Sequence, residues 1–219
     1  MSTLLLRLEG PLQSWGVSSR YGQRDTGLEP SKSGVIGLVC AALGRPRGQP
    51  VDDLAALRMA VRVDHPGQLH TDYHTAGAGG FRRADDTTAR HNVIVSRRVY
   101  LSDASFLVGL EGDRQKLEEI DAALGRPHWP LSLGRKACVP SAPVRMPDGL
   151  SDERLLDALA GAFWDERPSR ERIDELRVVE EIPLQEAAAI VPDQPVGAAF
   201  LDRTFGPRGI AIHLIPVPS

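Results

Sequence analysis

The sequence predicts an α+β fold in which helices cover one face of an antiparallel sheet. Alternating apolar and polar residues indicate strands, as in Thr3 to Glu9, and apolar segments between capping residues indicate helices. The elements follow one another as strand, helix, strand, strand, strand and helix. This order matches most of a ferredoxin-like (RRM-like) fold, whose helices lie on one side of the sheet.

Two helices are predicted by their ends. Ser31 to Ser33 precedes the apolar segment from Gly34 to Leu43, and Gly44 follows it. Serine before such a segment and glycine after it are start and stop signals. Because the segment is apolar nearly all round, we expect this helix to be buried. A second helix is expected to start after the capping residue Asp113 and to end at Gly125.

The later strands are predicted by alternation. Arg58 to Asp64 alternates cleanly, which places Arg62 on the outer side of a strand. Val93 to Leu101 and Ser105 to Leu110 predict a hairpin that turns at residues 102–104.

One long segment does not fit a compact domain. Asp72 to Asn92 contains the small-residue run Ala76 to Gly80 and almost no aliphatic residues. A connection of this length is commonly functional. We therefore expect a protruding arm.

The final third is harder to interpret. Ser151 to Trp164 predicts an amphipathic helix, and Arg177 to Ile182 and Gly209 to Ile215 predict strands. We expect residues 1–147 to form the main domain and residues 148–219 to form a smaller C-terminal extension packed on it.

Composition is that of an ordinary globular protein, with 42% apolar and 25% charged residues. No apolar run approaches the ~20 residues needed to span a bilayer, and Met1 to Arg7 has no basic leader. We therefore expect a cytoplasmic location and no membrane partner. Cys40 and Cys138 are too few for a cysteine-based zinc site and favour a reducing compartment.

Positive charge is concentrated in the first two thirds of the chain. Residues 1–147 hold 19 Lys and Arg against 15 Asp and Glu, a net charge of +4, and residues 148–219 hold 7 against 14, a net charge of −7. Nearly all of the excess is Arg, which offers planar bidentate donors to phosphate and stacks on bases. Local positive charge of this kind favours nucleic-acid binding. A genomic bias toward Arg codons is the alternative explanation.

Residues 30–34, Pro-Ser-Lys-Ser-Gly, resemble a phosphate-binding loop but lack the glycine spacing of a nucleotide-hydrolase motif. What remains is a helix N-terminus with backbone N–H groups, two hydroxyls and one cation, which suits an RNA phosphate. Plain capping by serine is the alternative. Trp15 is similarly open to two interpretations, stacking on a base or packing in the core.

Chemistry-bearing residues do not form a recognisable catalytic or metal motif. None of the six histidines belongs to a zinc-binding pattern, so we expect no metal and no cofactor. His70, His74 and His91 lie in or beside the arm, where one of them has the chemistry of a general base for RNA cleavage. Exposed polar contacts are the alternative role. Because the aromatic RNA-recognition signature is missing, we expect RNA binding by loops and arm.

An ordered set of motifs resembles one known family. The motifs are residues 10–16 (GPLQSWG), 30–38 (PSKSGVIGL), 72–75 (DYHT), 100–104 (YLSDA) and 133–140 (LGRKACVP). Together they resemble the fifth CRISPR-associated protein family of the RAMP superfamily, in its type I-E branch, the CasD subunits of Cascade. The matches cover about two thirds of the chain, and the last third adds none.

The resemblance implies a ferredoxin-like RNA-binding domain over residues 1–147 with a long thumb hairpin at about residues 72–98. It implies a non-catalytic subunit that binds and caps the 5′ handle of the CRISPR RNA. It also implies contacts with the Cascade backbone subunit and large subunit, close to the target DNA. Cleavage is implied to belong to a separate endonuclease, so no catalytic residue is expected.

We expect phosphates of the handle to cross the loop before Gly16 and the start of the first helix, with basic residues of the arm holding the displaced backbone. The expected RNA-binding residues are Gln13, Ser14, Trp15, Arg20, Arg24, Ser31, Lys32, Ser33, Arg82, Arg83, Arg90, Arg97, Arg98, Arg135 and Lys136.

Three alternative functions remain at this point. The first is a metal-independent endoribonuclease that processes CRISPR repeat RNA, with His70, His74 or His91 as the base. The second is a general RNA-binding module outside CRISPR defence. The third is a structural connector whose acidic last third docks a protein partner.

Overall fold

The computed structural model describes residues 1–17, 23–77, 80–82, 85, 87–89, 93–163 and 174–218. The strands are β1 (Ser2–Glu9), β2 (Leu12–Gln13), β3 (Gln23–Arg24), β4 (Arg58–His65), β5 (Gln68–Ala76), β6 (Phe81–Arg82), β7 (Thr88–Ala89), β8 (Ile94–Ser102), β9 (Ser105–Gly112), β10 (Arg145–Ser151), β11 (Glu175–Ile182), β12 (Ala189–Pro195) and β13 (Phe205–Pro216). The helices are α1 (Lys32–Leu43), α2 (Asp52–Ala55), α3 (Arg114–Gly125), α4 (Leu155–Gly161) and α5 (Ala199–Asp202).

A seven-stranded antiparallel sheet forms the centre of the molecule, in the order β10-β1-β9-β4-β11-β13-β12. Along the chain, α1 follows β1, and α3 joins β9 to β10. β1, β4, β9 and β10 follow one another along the chain with α1 and α3 between them. The first and third of these strands, β1 and β9, lie in the middle, and the second and fourth, β4 and β10, lie outside them. None of the helices in the described part of the chain is long and apolar enough to cross a membrane.

The predicted ends of α1 and α3 are confirmed. The Ser31 hydroxyl accepts a hydrogen bond from the Gly34 amide at 3.3 Å, and Gly44 ends α1 in the left-handed region with φ of 72°. The Asp113 carboxylate caps α3 by accepting from the Lys116 amide at 3.1 Å. Local capping chemistry therefore determines where both helices begin.

Helices cover both faces of the sheet. α1 and α3 pack on the face that carries Leu4, Leu6 and Val108. α4 packs on the opposite face, against Leu5 and Leu107. The prediction that helices lie on one face is therefore correct for α1 and α3, and α4 departs from it.

Arg62 is on the α4 side of the sheet and is completely buried, contrary to its predicted outward position. Its guanidinium donates to the carbonyl oxygens of Leu159, Ala162 and Phe163 and pairs with Asp64 at 2.6 Å. These bonds satisfy carbonyl groups at the end of α4, which have no partner within the helix. The charge is therefore used to attach α4 to the sheet.

The predicted hairpin between residues 93 and 110 is wrong. β9 pairs with β4 and β1 in the large sheet, whereas β8 pairs with β5 in a separate smaller sheet. Residues 102–104 carry the chain from one sheet to the other. Gly67, with φ of 68°, makes the same passage between β4 and β5, and a Cβ there would lie 2.4 Å from the Ser102 carbonyl oxygen. β4 and β5 thus pair with β9 and β8 as two successive lengths of one ribbon, one length in each sheet.

The smaller sheet consists of β2, β3, β5 and β8. β5 and β8 pair antiparallel from Gln68↔Ser102 to Ala76↔Ile94, and β3 runs parallel to β8. The segment predicted as an arm thus begins and ends as a two-stranded ribbon, and β6 and β7 pair beyond it.

The last third continues the large sheet. β10 spans the expected domain boundary at residues 147 and 148, and β11, β13 and β12 extend the sheet beyond β4. The predicted strands at 177–182 and 209–215 are confirmed within β11 and β13. The predicted helix at 151–164 is observed as the shorter α4. Strands from both sides of the expected boundary therefore share one sheet.

Candidate RNA interface

The predicted RNA-binding loop at residues 13–15 is buried. The Gln13 amide donates to the carbonyl oxygens of Leu8 at 3.0 Å and Ala104 at 2.8 Å, and its own oxygen accepts from Trp15 Nε1 at 2.9 Å. Trp15 is 1% exposed and packs against Gly34, where a Cβ would lie 2.8 Å from the ring. Ser14 is also buried. These three side chains hold β1, β2 and α1 together and do not face solvent.

The start of α1 is occupied by carboxylates of the same chain. The Lys32 amide donates to Asp193 Oδ2 at 2.7 Å, and its ammonium donates to both carboxylate oxygens of Glu181 at 2.7 and 2.8 Å. Arg208 donates to both oxygens of Asp193, at 2.7 and 2.8 Å. Carboxylates of Glu181 and Asp193 thus occupy the position predicted for a phosphate.

Lys32 is 1% exposed, and Ser31 is buried as the helix cap, whereas Ser33 is half-buried. Burial lowers the pKa of Lys32, although the neighbouring Glu181 opposes this shift. A cation that is enclosed and paired in this way has no face left for a phosphate. The geometry therefore favours the capping interpretation of this motif.

Arg135 is bound to backbone atoms of the smaller sheet. Its guanidinium donates to the Val99 carbonyl oxygen of β8 at 3.1 Å and to the Asp25 carbonyl oxygen at 3.0 Å, directly after β3. The same group lies 4.7 Å above the centre of the Tyr100 ring. Arg135 therefore connects β8 to the segment after β3.

The loop that carries Arg135 packs on the buried loop described above. The Ser14 amide donates to the Leu133 carbonyl oxygen at 3.1 Å. Gly134 has φ of 84°, and a Cβ there would lie 1.7 Å from the Ser14 carbonyl oxygen, so only glycine permits this contact. Lys136, the residue after Arg135, is exposed.

Three predicted arginines lie on the paired strands β3 and β8, with Arg24 and Arg98 on one face and Arg97 on the other. Arg24 lies opposite Arg98 in the parallel pair, and Arg97 lies opposite Tyr73 in the antiparallel pair. Arg24 and Arg97 are exposed, whereas Arg98 is half-buried, with its Nε donating to Ser96 Oγ at 3.1 Å. We call β3, β5 and β8 with these side chains the cationic sheet.

Few acidic groups neutralise the cationic sheet. Asp72 lies opposite Arg98 in the register of β5 and β8. Among the residues that the structure describes, no carboxylate forms an ion pair with Arg24, Arg97 or Lys136. Within this part of the chain, these three cations have no carboxylate that a polyanion would have to displace.

The remaining predicted residues lie on the arm or outside the described residues. Arg82 is exposed on β6. Arg20, Arg83 and Arg90, and also His91, lie outside the described residues. The structure therefore positions only Arg82 among this group.

The structure describes two of the three histidines proposed as a general base for RNA cleavage. His70 is exposed on β5, and His74 Nδ1 lies 3.7 Å from Asp72 Oδ2. Within the described ranges, no group of three or more His, Cys, Asp or Glu side chains is arranged to hold a metal ion.

Sequence reasoning missed two kinds of residue. Glu181 and Asp193 fill the start of α1 from far along the chain, and no local pattern identified them. Tyr73 was part of a recognised motif but received no role, and it is 64% exposed beside Arg97. The available signal was its position in the segment predicted as a protruding arm.

Comparison with known proteins decides the family. The family model described as CRISPR-associated protein (Cas_Cas5) matches residues 3–208. The chain belongs to this family. The resemblance seen in the sequence motifs is thereby confirmed, and the Cas5 match includes the last third, in which no motif was recognised.

Named relatives agree with this assignment. The Cas5 chain is 34% identical over 161 residues to the CRISPR system Cascade subunit CasD of Escherichia coli (strain K12), which covers 65% of this chain and 69% of the relative. It is similar to the crystal structure of a Cas protein, with 44% identity, a TM-score of 0.80 and coverage of 99% and 98%. It is also similar to a chain of a CRISPR RNA-guided surveillance complex, with 32% identity, a TM-score of 0.83 and coverage of 99% and 91%.

Proposed function

We propose that this Cas5 protein is a non-catalytic subunit of a Cascade surveillance complex, in which it binds and caps the 5′ handle of the CRISPR RNA. Similarity to CasD and to a chain of an RNA-guided surveillance complex supports the assembly. The observation that carries the RNA contact is the cationic sheet, because Arg24 and Arg97 are exposed there with no carboxylate partner in the described residues.

In this proposal the core is ferredoxin-like and the β5–β8 ribbon is the base of the thumb. The order of β10, β1, β9 and β4 around α1 and α3 supports the first assignment. The uninterrupted pairing of β5 with β8, outside the large sheet, supports the second.

The RNA backbone lies across β3, β8 and β5 in this arrangement. Arg24 and Arg98 donate to phosphates from one face of the smaller sheet and Arg97 donates from the other, and Lys136 adds a cation at the edge. Arg82, together with Arg20, Arg83 and Arg90, extends the contact along the arm. Guanidinium groups suit this role because their planar donors bind two phosphate oxygens at once.

The buried motif residues support the interface from behind. Gln13, Ser14 and Trp15 fix the loop before β3, and Ser31 and Lys32 fix the start of α1 against Trp15 and β11. They therefore leave the proposed set of direct RNA contacts. The surface outside the cationic sheet remains for the backbone subunit, the large subunit and the nearby target DNA.

A salt titration tests the RNA contact. Replacing Arg24, Arg97 and Arg98 together by alanine is expected to reduce the slope of log affinity against log salt by about 2 for a single-stranded handle RNA, at about 0.7 per phosphate contact. The matched control replaces Arg126, Arg154 and Arg203, three exposed arginines outside the cationic sheet. An equal change in both triple variants would contradict the proposed interface.

A cleavage assay tests the absence of catalysis. The purified chain is incubated with RNA from its own CRISPR repeat in the presence of a chelator. Intact RNA is expected. Discrete products that disappear in a His70→Ala, His74→Ala or His91→Ala variant would instead establish the endoribonuclease alternative.

A further inference from the structure

We propose that Tyr73 and Arg97 form a binding site for one unpaired nucleotide of RNA, with the base stacked on the phenol ring and its phosphate on the guanidinium. The inference rests on the proposed function, because it assumes that RNA reaches the cationic sheet. It adds a base-binding element to a surface so far described only by charge.

The two side chains stand next to each other on the same face of the ribbon. Tyr73 and Arg97 are direct partners in the antiparallel register of β5 and β8. Side chains of directly opposed residues have Cβ atoms about 4.5–5.5 Å apart and point the same way. A nucleotide that contacts one of them is therefore within reach of the other.

The ring of Tyr73 is open to solvent. It is 64% exposed, whereas the other tyrosine of the ribbon, Tyr100, is 7% exposed and lies beneath Arg135. Most of the apolar surface of an aromatic side chain is normally buried, since the ring contributes a large hydrophobic area. An uncovered ring on a two-stranded ribbon is thus a surface that a ligand can cover.

The polar side chains next to the ring suit a nucleotide. On this face, the positions on either side of Tyr73 in β5 are Thr71 and Thr75, which are polar and exposed. From β8, Arg97 lies directly opposite the ring, with Val95 and Val99 on either side of it. Arg24 and the half-buried Arg98 lie on the other face, in register with Asp72. An exposed aromatic ring with hydroxyls beside it and a guanidinium directly opposite combines the stacking and the backbone charge that proteins use to bind single strands.

The Asp72-Tyr73-His74-Thr75 motif gains a division of roles from this geometry. Alternation along β5 places Asp72 and His74 on the opposite face from Tyr73. His74 Nδ1 lies 3.7 Å from Asp72 Oδ2 on that face. The motif therefore presents one aromatic ring outward on the Arg97 side and keeps its ionisable groups on the other.

A substitution series in the full-length chain tests the stacking. Affinity for single-stranded handle RNA is measured for Tyr73→Phe, Tyr73→Trp, Tyr73→Leu and Tyr73→Ala. Stacking of one base corresponds to about a 5- to 150-fold effect, so alanine and leucine are expected to weaken binding by this factor. The phenylalanine and tryptophan variants are expected to keep the RNA affinity of the wild type, because they keep an aromatic ring.

An abasic scan of the RNA identifies the partner base. One base at a time is removed from the handle RNA. At a single position, the removal is expected to weaken binding to the wild type but to have a smaller effect on binding to Tyr73→Ala. At that position the two changes remove the same interaction, so their effects are not additive. Additive effects at every position would overturn the proposal.

Two further outcomes would contradict the proposal. If leucine retains RNA affinity as well as phenylalanine does, the ring is not a stacking platform. If the whole series binds RNA like the wild type and only assembly with protein subunits is weakened, Tyr73 is a protein contact and the nucleotide site is wrong. Failure of the proposed function is separate, because the wild-type chain would then show no salt-dependent RNA binding for any variant to lose.

Discussion

The start of α1 and the cationic sheet both carry positive charge, but they differ in what surrounds it. Lys32 at the start of α1 is 1% exposed and bonded to Glu181, whereas Arg97 on the sheet is exposed and opposite an exposed tyrosine. A buried charge is stable only when it is paired and hydrogen-bonded. The comparison shows that one set of cations builds the fold and that the other remains available for a ligand.

The buried set connects distant parts of the chain. Lys32 joins α1 to β11 through Glu181, and Asp193 of β12 bonds both the Lys32 amide and Arg208 of β13. Two strands of the acidic last third, β11 and β12, thus bond directly to the helix that packs on Trp15, and β13 is joined to β12 through Arg208. Part of the negative charge of this region is therefore neutralised by ion pairs within the protein.

Lys32→Ala is expected to have the largest effect, a loss of about 3–5 kcal/mol in the free energy of unfolding. The substitution leaves the Glu181 carboxylate, which is 20% exposed, without its ammonium partner. Lys136→Ala is the control, because it removes the same charge from an exposed position and is expected to change stability by about 0.5 kcal/mol or less. Denaturant unfolding followed by circular dichroism measures both.

RNA binding by the same two variants tests the division between structural and ligand-binding cations. If Lys32→Ala unfolds like the wild type but binds RNA with a flatter salt dependence, its ammonium faces RNA in solution. The division between structural and ligand-binding cations would then be wrong.

Local chemistry in the sequence predicts the ends of elements but not their partners. Ser31 and Gly44 mark α1 correctly because capping depends on residues within one turn. The segments around residues 102–104 were correctly predicted as strands, yet they pair in two different sheets. Alternation shows that a segment is extended and half-buried, and it carries no information about which strand lies beside it.

The candidate site was predicted to a similar extent. Arg24, Arg97 and Arg98 were selected for their charge, and the structure brings them together because β3 pairs with β8. Lys32 was selected on the same basis, but its partners lie 149 and 161 residues away. The burial of that lysine depends on tertiary contacts that a local motif does not contain.

Arg135→Ala is expected to have an intermediate effect, because Arg135 belongs to the interface by position and to the fold by its bonds. Loss of its hydrogen bonds to the Val99 and Asp25 carbonyl oxygens is expected to lower the free energy of unfolding by about 1.5–3 kcal/mol. Arg135→Lys is expected to lose a similar amount, since an ammonium lacks the planar fork that spans two acceptors. Denaturant unfolding of both variants measures the effect.

RNA binding by the folded Arg135 variants sharpens the distinction. The slope of log affinity against log salt is expected to match the wild type, because the guanidinium is bonded to protein carbonyl groups. A slope that falls by about 0.7 in Arg135→Ala and returns in Arg135→Lys would instead assign a phosphate contact to this residue.

Lys136→Ala is expected to have the smallest effect, a decrease of about 0.7 in the salt slope with no measurable loss of stability. Lys136 is exposed and lies one residue after Arg135, so its ammonium reaches a strand that crosses β8 without supporting the sheet. Lys116→Ala on α3 is the matched control, since Lys116 is paired with Glu119 at 2.7 Å and lies outside the cationic sheet. Equal slopes in the two lysine variants would remove Lys136 from the interface and confine the RNA contact to β3, β5 and β8.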